Sequence, residues 1–436
     1  MPASTLDYAA IASRHGFDLA QVCPPTCEER LAQLKQTLVR TDVPFPLSLA
    51  EQSACLKAAS SGQPFGSGQF GSERVDLGKF ENFQHYPAYT FEEHLSWACL
   101  VADQQHTKHQ FACREYLDGE RLFEIGGTVI PDFYLLNARI YQQTRWQLAT
   151  VNMIIPAELF FTCHSRRFFP VTTFMRPVEV DYLQEPDIGH DVAGHVATFT
   201  IQAVANVMKN HGLARDAIYA ERDQQIEQAA GDPVTIARIA QTADQLLTYA
   251  GRIYWFTVEF GLVMQADEVR CFGAGILSSP GETVFSINSC ESNRILIDPS
   301  NDADLLRLAS TDYLISEFQK SYFISKSFEL LDSMTAERIL QAAKTAMSLP
   351  DYTWREIVPG DQVVNVGTTA MSPNEKYYRL MAGQPLDECL RRAAIKNLAM
   401  ITDGLDLALL NHFKLPPPNV PAIAIEWFKH HRSSLM

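Results

Sequence analysis

The sequence predicts a mainly α-helical fold with minor β structure, on three observations. Apolar residues recur at three- and four-residue spacing over several long stretches, the period of one helix face. Alternation with period two, the mark of a half-buried strand, is scarce. One tract, Ser60–Glu73, holds four glycines, four serines and one proline in fourteen residues, and sets a boundary after a short leading segment.

Taken in order, Cys27–Leu38 and Leu47–Ala59 carry short amphipathic patterns that predict a small helical region before the Gly/Ser tract. Phe91–Asp118 is predicted helical from Leu95, Ala98, Cys99 and Ala102, and Ile130–Leu148 from Leu135, Leu136, Ala138, Ile140 and Tyr141. A short apolar run from Ala149 to Ile155 stops at Pro156, and Arg167–Val180, rich in Phe, Val and Thr, reads as irregular or extended. Helices are expected again over Ile188–Val207, Pro233–Ala250 and Gly251–Val263, then Ala336–Met347 and Leu386–Phe413. A Pro-rich turn, Leu415–Asn419, precedes the tail. The Gly/Ser tract sets residues 1–75 apart from the rest of the chain.

A chain of 436 residues with 46% hydrophobic and 20% charged residues can bury a large core. Its net charge of −15 argues against nucleic acid or an anionic membrane as partner, since both would repel it. Nine scattered cysteines, an odd number lying mostly in apolar stretches, read as reduced thiols of a cytoplasmic protein. Cys23 and Cys27 form the one close pair and read as free thiols of a loop. The first twenty residues lack the basic-then-apolar order of a signal peptide, and no window approaches a membrane span.

The sharpest local feature is EPDIGHDVAGHV, residues 185–196. His190 and His195 are five positions apart, and on a regular α-helix side chains so spaced diverge by about 140°. Both reach one metal only if the helix starts or distorts there; Pro186, Asp187 and Gly194 favour that. Glu259 lies in the apolar run IYWFTVEFGL, residues 253–262. A buried carboxylate needs strong hydrogen bonds or a cation, such as a basic partner like Arg252 or a metal. Two histidines and one carboxylate form the facial set for iron(II).

Together with FGAGILSSPGE at 272–282, these motifs resemble the pterin-dependent aromatic amino acid hydroxylases, and most of all the bacterial phenylalanine hydroxylases, which share DYLQEPD at 181–187. The likeness runs in order from about Tyr86 to Asp332 through Ile130-Pro-Asp-Phe, Arg167-Phe-Phe-Pro-Val and Ser316-Glu-Phe-Gln-Lys-Ser-Tyr-Phe, which implies a division into 1–75, 76–335 and 336–436. The 64 positions from His195 to Glu259 exceed the family's gap, and imply a polar, exposed helical insertion at about 208–232. It implies a helical basket around one iron held by His190, His195 and Glu259. It further implies that Ile154, Ile155, Phe160 and Asp191 contact the pterin, with Phe160 stacking on its ring. Arg176 matches the clamp on the substrate carboxylate, and Tyr182, Trp255, Phe260, Gly275, Ser278 and Ile315 match the substrate surroundings. The implied small-molecule partners are an aromatic amino acid, dioxygen and tetrahydrobiopterin or a related tetrahydropterin.

Trp255, Phe260 and Gly275 resemble the 4-hydroxylating pattern, and the apolar Ile315 suits a ring without a hydroxyl, so phenylalanine to tyrosine is the expected reaction. Gly189, Ala193 and Ala197 depart from the family by being small or by replacing a proline, and predict a wall beside the metal that is enlarged or loosened. These departures keep open a hydroxylase of a modified phenylalanine, one acting at the 3-position, or an iron-binding relative without turnover. Homo-oligomerisation and the roles of both extensions stay open as well.

Overall fold

A computed structural model describes residues 7–38, 47–68, 70–178, 185–229, 231–372, 374–404 and 418–435. The chain divides into two compact units, residues 1–205 with 271–284 and residues 206–270 with 285–436.

The first unit opens with three helices, Tyr8–Arg14, Cys27–Leu38 and Leu49–Ser60. The last two fall where the amphipathic patterns put them, and Ser48 with Glu51 closes a capping box on the third. Ile11 and Val22 pack with Leu95, Ala98 and Cys99 of α1 (Phe91–Phe111), so the leading segment shares this unit's core. The Gly/Ser tract is fastened down by its two aromatics. Phe65 and Phe70 are both buried, and the Phe70 backbone exchanges two 2.9 Å hydrogen bonds with the Gln147 side chain. Composition reads such a tract as a spacer because it weighs the small residues and not the two rings among them.

After α1 come α2 (Arg114–Phe123) and the helix Phe133–Thr144. Two short strands follow, β1 (Gln147–Val151) and β2 (Phe168–Thr172), paired in parallel from Gln147 against Phe168 to Val151 against Thr172. Every side chain of both strands is buried, which explains why no alternation signalled them.

The long helix α3 (Gln202–Gln228), in the second unit from Asn206 on, contains most of the predicted insertion. Its inner positions His211, Ala214, Ile218 and Tyr219 are buried, and the Tyr219 hydroxyl donates to Asp244, 3.0 Å away. Helix α4 (Pro233–Tyr254) starts on an Asp232 cap with proline at its first position, and packs against α5 (Ala336–Ala346). A five-stranded sheet joins β3 (Leu262–Gln265), β4 (Glu268–Cys271), β5 (Asn293–Ile297), β6 (Ser321–Ser325) and β7 (Gln362–Asn365) in the order β4-β3-β6-β5-β7. The bulk of the described structure is helical, as expected of a mainly α chain.

The C-terminal extension adds α6 (Glu388–Asp403) and the helix Ala422–Leu435. The rest of the predicted run to Phe413, and the start of the Pro-rich turn, lie outside the described residues. The extension contributes core: Leu349 and Trp354 are buried, and Tyr377 packs with Leu398, Ala424 and Phe428. It also contributes charge. Arg252 of α4 bonds both Asp312 and Asp351 (2.7 Å to the latter), and Lys396 of α6 bonds Asp351 at 3.1 Å. Among the described residues no helix is long and apolar enough to cross a membrane.

Candidate metal centre

Asp187 sets the geometry of the first two ligands. Its backbone is extended, and its carboxylate accepts the His190 amide at 3.0 Å, capping a helix that begins at Ile188. The same carboxylate receives three bonds from Arg176: the amide at 3.0 Å, Nε at 2.8 Å and Nη2 at 2.7 Å. Burial alone would raise the Asp187 carboxyl, and the hydrogen bonds and charge of Arg176 overcome it and hold the group below the usual range.

The helix does not continue as α. Asp191–His195 is a π turn, in which the hydrogen-bond register widens by one residue. Residues five apart are then brought toward one face, and the rings of His190 and His195 stand with centroids 5.1 Å apart. This is the distortion that the five-residue spacing demanded. Gly194 permits it for a second reason: a Cβ there would sit 2.8 Å from the Ala274 carbonyl oxygen.

Three further groups surround the pair. Phe169 of β2 lies 4.6 Å from the His195 ring. Asp191 is buried and accepts the Thr172 amide at 2.7 Å and the Thr172 hydroxyl at 2.9 Å, which ties the π turn to the end of β2. Burial pushes its carboxyl up to about 7 against those two bonds. Ser278 Oγ donates to the Gly275 carbonyl and lies 3.0 Å from His190 Nδ1. Because the hydroxyl has one proton, it accepts from Nδ1–H, and the lone pair of His190 is left on Nε2.

A second π turn, Trp255–Glu259, ends α4. It buries Glu259 and stacks Trp255 on Tyr313 with centroids 4.1 Å apart, while Phe260 lies 4.7 Å from the same indole. Arg252 is committed to Asp312 and Asp351, so the ion pair with Glu259 that the sequence left open is not the use made of this arginine.

Among the described residues, one group of histidine, cysteine and acidic side chains has ligand atoms all within 4.8 Å of one another: His190, His195 and Glu259. Two neutral imidazoles and one carboxylate suit a divalent transition ion with positions left over for other ligands. The donor set therefore fits iron(II).

The other expected positions are distributed as follows. Ile155 is buried, Ile154 is half exposed, and Phe160 sits on the helix Ala157–Ser165 with its ring 4.3 Å from His164. Arg176 and Gly275 are buried, and Ile315 is 47% exposed. Tyr182 lies outside the described residues. The enlarged wall expected at Gly189 is corrected: a Cβ there would come within 2.3 Å of Leu100 Cδ2, so Leu100 already occupies the space. The sequence did not show the two π turns or the Asp187–Arg176 pair. The impossible α geometry of His190 and His195 was the one signal for the first turn.

The family profile of biopterin-dependent aromatic amino acid hydroxylases matches residues 80–346. A phenylalanine-4-hydroxylase of Caulobacter vibrioides is 34% identical over 288 residues, covering 66% of this chain and 88% of the relative. Its counterpart from Chromobacterium violaceum is 32% identical over 293 residues, covering 67% and 89%. The crystal structure of the Chromobacterium violaceum phenylalanine hydroxylase with bound oxidised Fe(III) matches with a TM-score of 0.56 at 32% identity, over 67% of this chain and 96% of that one. A second structure of that protein, with iron(III) and 7,8-dihydrobiopterin, matches with a TM-score of 0.54.

Proposed function

Since this chain belongs to the biopterin-dependent aromatic amino acid hydroxylases, we propose that it is an iron(II) monooxygenase converting L-phenylalanine to L-tyrosine with dioxygen and a tetrahydropterin. The observation that carries this is the mutual approach of His190, His195 and Glu259 to within 4.8 Å. Bound iron(II) and tetrahydropterin supply the electrons that reduce dioxygen; the chain's own residues bind, orient and exclude water.

Arg176, held in one plane by Asp187, presents a guanidinium to the substrate carboxylate. Trp255, fixed by its stack on Tyr313 and by a 3.3 Å bond from its Nε1 to Gln319, forms a rigid wall for the ring with Phe260. Phe160 offers a face to the pterin. Residues 76–335 carry this chemistry, and 1–75 and 336–436 are additions to it. A reducing cytoplasm suits the nine free cysteines. With Leu100 filling the space at Gly189, the motive for a larger, modified substrate is removed at that position.

Oxygen uptake with iron(II) and tetrahydropterin, with phenylalanine, tyrosine and tryptophan in turn and the products identified by mass, tests the assignment. Tyrosine from phenylalanine is expected, and 3-hydroxyphenylalanine or no product would overturn it. Ser278→Ala removes the acceptor that fixes the His190 tautomer, and is expected to weaken iron binding about 10- to 100-fold. Metal competition titration checks this.

A further inference from the structure

Lys108 of α1 is only 2% exposed. Its ammonium lies 2.7 Å from Glu120 of α2 and donates at 2.9 Å to the carbonyl oxygen of Ala193. The Tyr116 hydroxyl, on α2 and wholly buried, donates to that same oxygen. Ala193 lies inside the π turn, between His190 and His195. One backbone carbonyl thus receives two side-chain donors, one of them a buried cation.

Stability does not account for this arrangement. Desolvating an ammonium is costly, and a buried ion pair replaced by apolar groups of similar volume often leaves a protein as stable or more so. A π turn, in contrast, needs its carbonyls held, because widening the register loosens them from the α ladder and invites relaxation to regular helix. Relaxation here would leave His190 and His195 diverging by about 140°. The approach of α2 to the next turn is also tight: a Cβ on Gly119 would lie 2.3 Å from the Ala197 carbonyl oxygen, so the Tyr116 donor comes from a helix seated against this segment.

We propose that Lys108, with Tyr116, is a positioning residue of the metal centre, clamping the Ala193 carbonyl so that the π turn keeps both imidazoles on one ion. The proposal rests on the iron reading above and deepens it. Glu120 orients the ammonium, and neither Lys108 nor Tyr116 touches a reacting atom.

The test is cobalt(II) titration of the full chain, read by ligand-field absorption, alongside thermal unfolding of the metal-free protein. Lys108→Met is expected to lose about tenfold in cobalt affinity and to change the band shape, with a melting temperature below the parent's because Glu120 loses its cation; the titration is run well below that temperature. Lys108→Arg, which keeps a cationic donor, is expected to recover part of the affinity. Tyr116→Phe, a single-oxygen deletion in an unchanged ring, is expected to lose about threefold and answers the question should Lys108→Met fail to fold. Parent-like affinity and band shape in a folded Lys108→Met, or in Tyr116→Phe, overturn the proposal. A parent protein that takes up no cobalt overturns the metal reading itself, so the two failures are distinct.

Discussion

Glu259→Gln is expected to abolish turnover and to weaken iron(II) binding by at least about a hundredfold, since a ligand counts for more than the groups that orient ligands. The reasoning is electrostatic. Of the three candidate ligands only Glu259 is anionic, so the amide leaves a dication with two neutral imidazoles and no anionic ligand. Glutamine keeps the shape that the buried π turn accommodates, so the loss falls on the ion and not on packing. Iron content after desalting, together with oxygen uptake, reads the result. Full iron occupancy with tyrosine production in this variant would remove Glu259 from the ligand set.

Asp187→Ala is expected to cost about 3–5 kcal/mol of stability, because it strands the buried Arg176 guanidinium and also deletes a helix cap. Against a typical total of about 5–15 kcal/mol this is severe. The sign of the pH dependence follows from the depressed carboxyl. Its stabilisation is fully present above the unfolded value of 3.8 and is lost as pH falls through the lower folded value. Parent and variant stabilities, compared by denaturant titration, should therefore differ most above that value and converge in stronger acid. If the variant folds, the released arginine is expected to raise KM for phenylalanine more than it lowers kcat. A difference that stayed constant into strong acid would mean that the ion pair is not its source.

Much of this site was legible in the residues. His190, His195 and Glu259 could be singled out by donor chemistry and by the oddity of a carboxylate in an apolar run. Their convergence could not, because it depends on two π turns, and a period of 3.6 read along the chain has no way to mark where the register slips. Ser278 illustrates a different blindness: 88 residues separate it from His190, and only the tertiary fold reveals it as that ring's partner. Helices with one apolar face, such as Cys27–Leu38 and Ala336–Ala346, were found nearly to the residue. The strands β1 and β6 were not seen as strands, and β2 was read only as part of an irregular or extended stretch, since burial on both faces erases alternation.

The cluster of Arg252, Asp312, Asp351 and Lys396 bears on the timing of folding during synthesis. Arg252 precedes Asp351, the second of its two acidic partners, by 99 positions, and at about 5–20 residues per second the ribosome needs roughly 5–20 s to travel between them. Through that interval the helix leading to Glu259 carries a guanidinium whose full set of counter-charges has not yet been made. Water must solvate it, and the helix is held back from final burial until the C-terminal segment arrives. The residues beyond 346, outside the family's common span, thus complete the ion pairs of the helix that leads to Glu259.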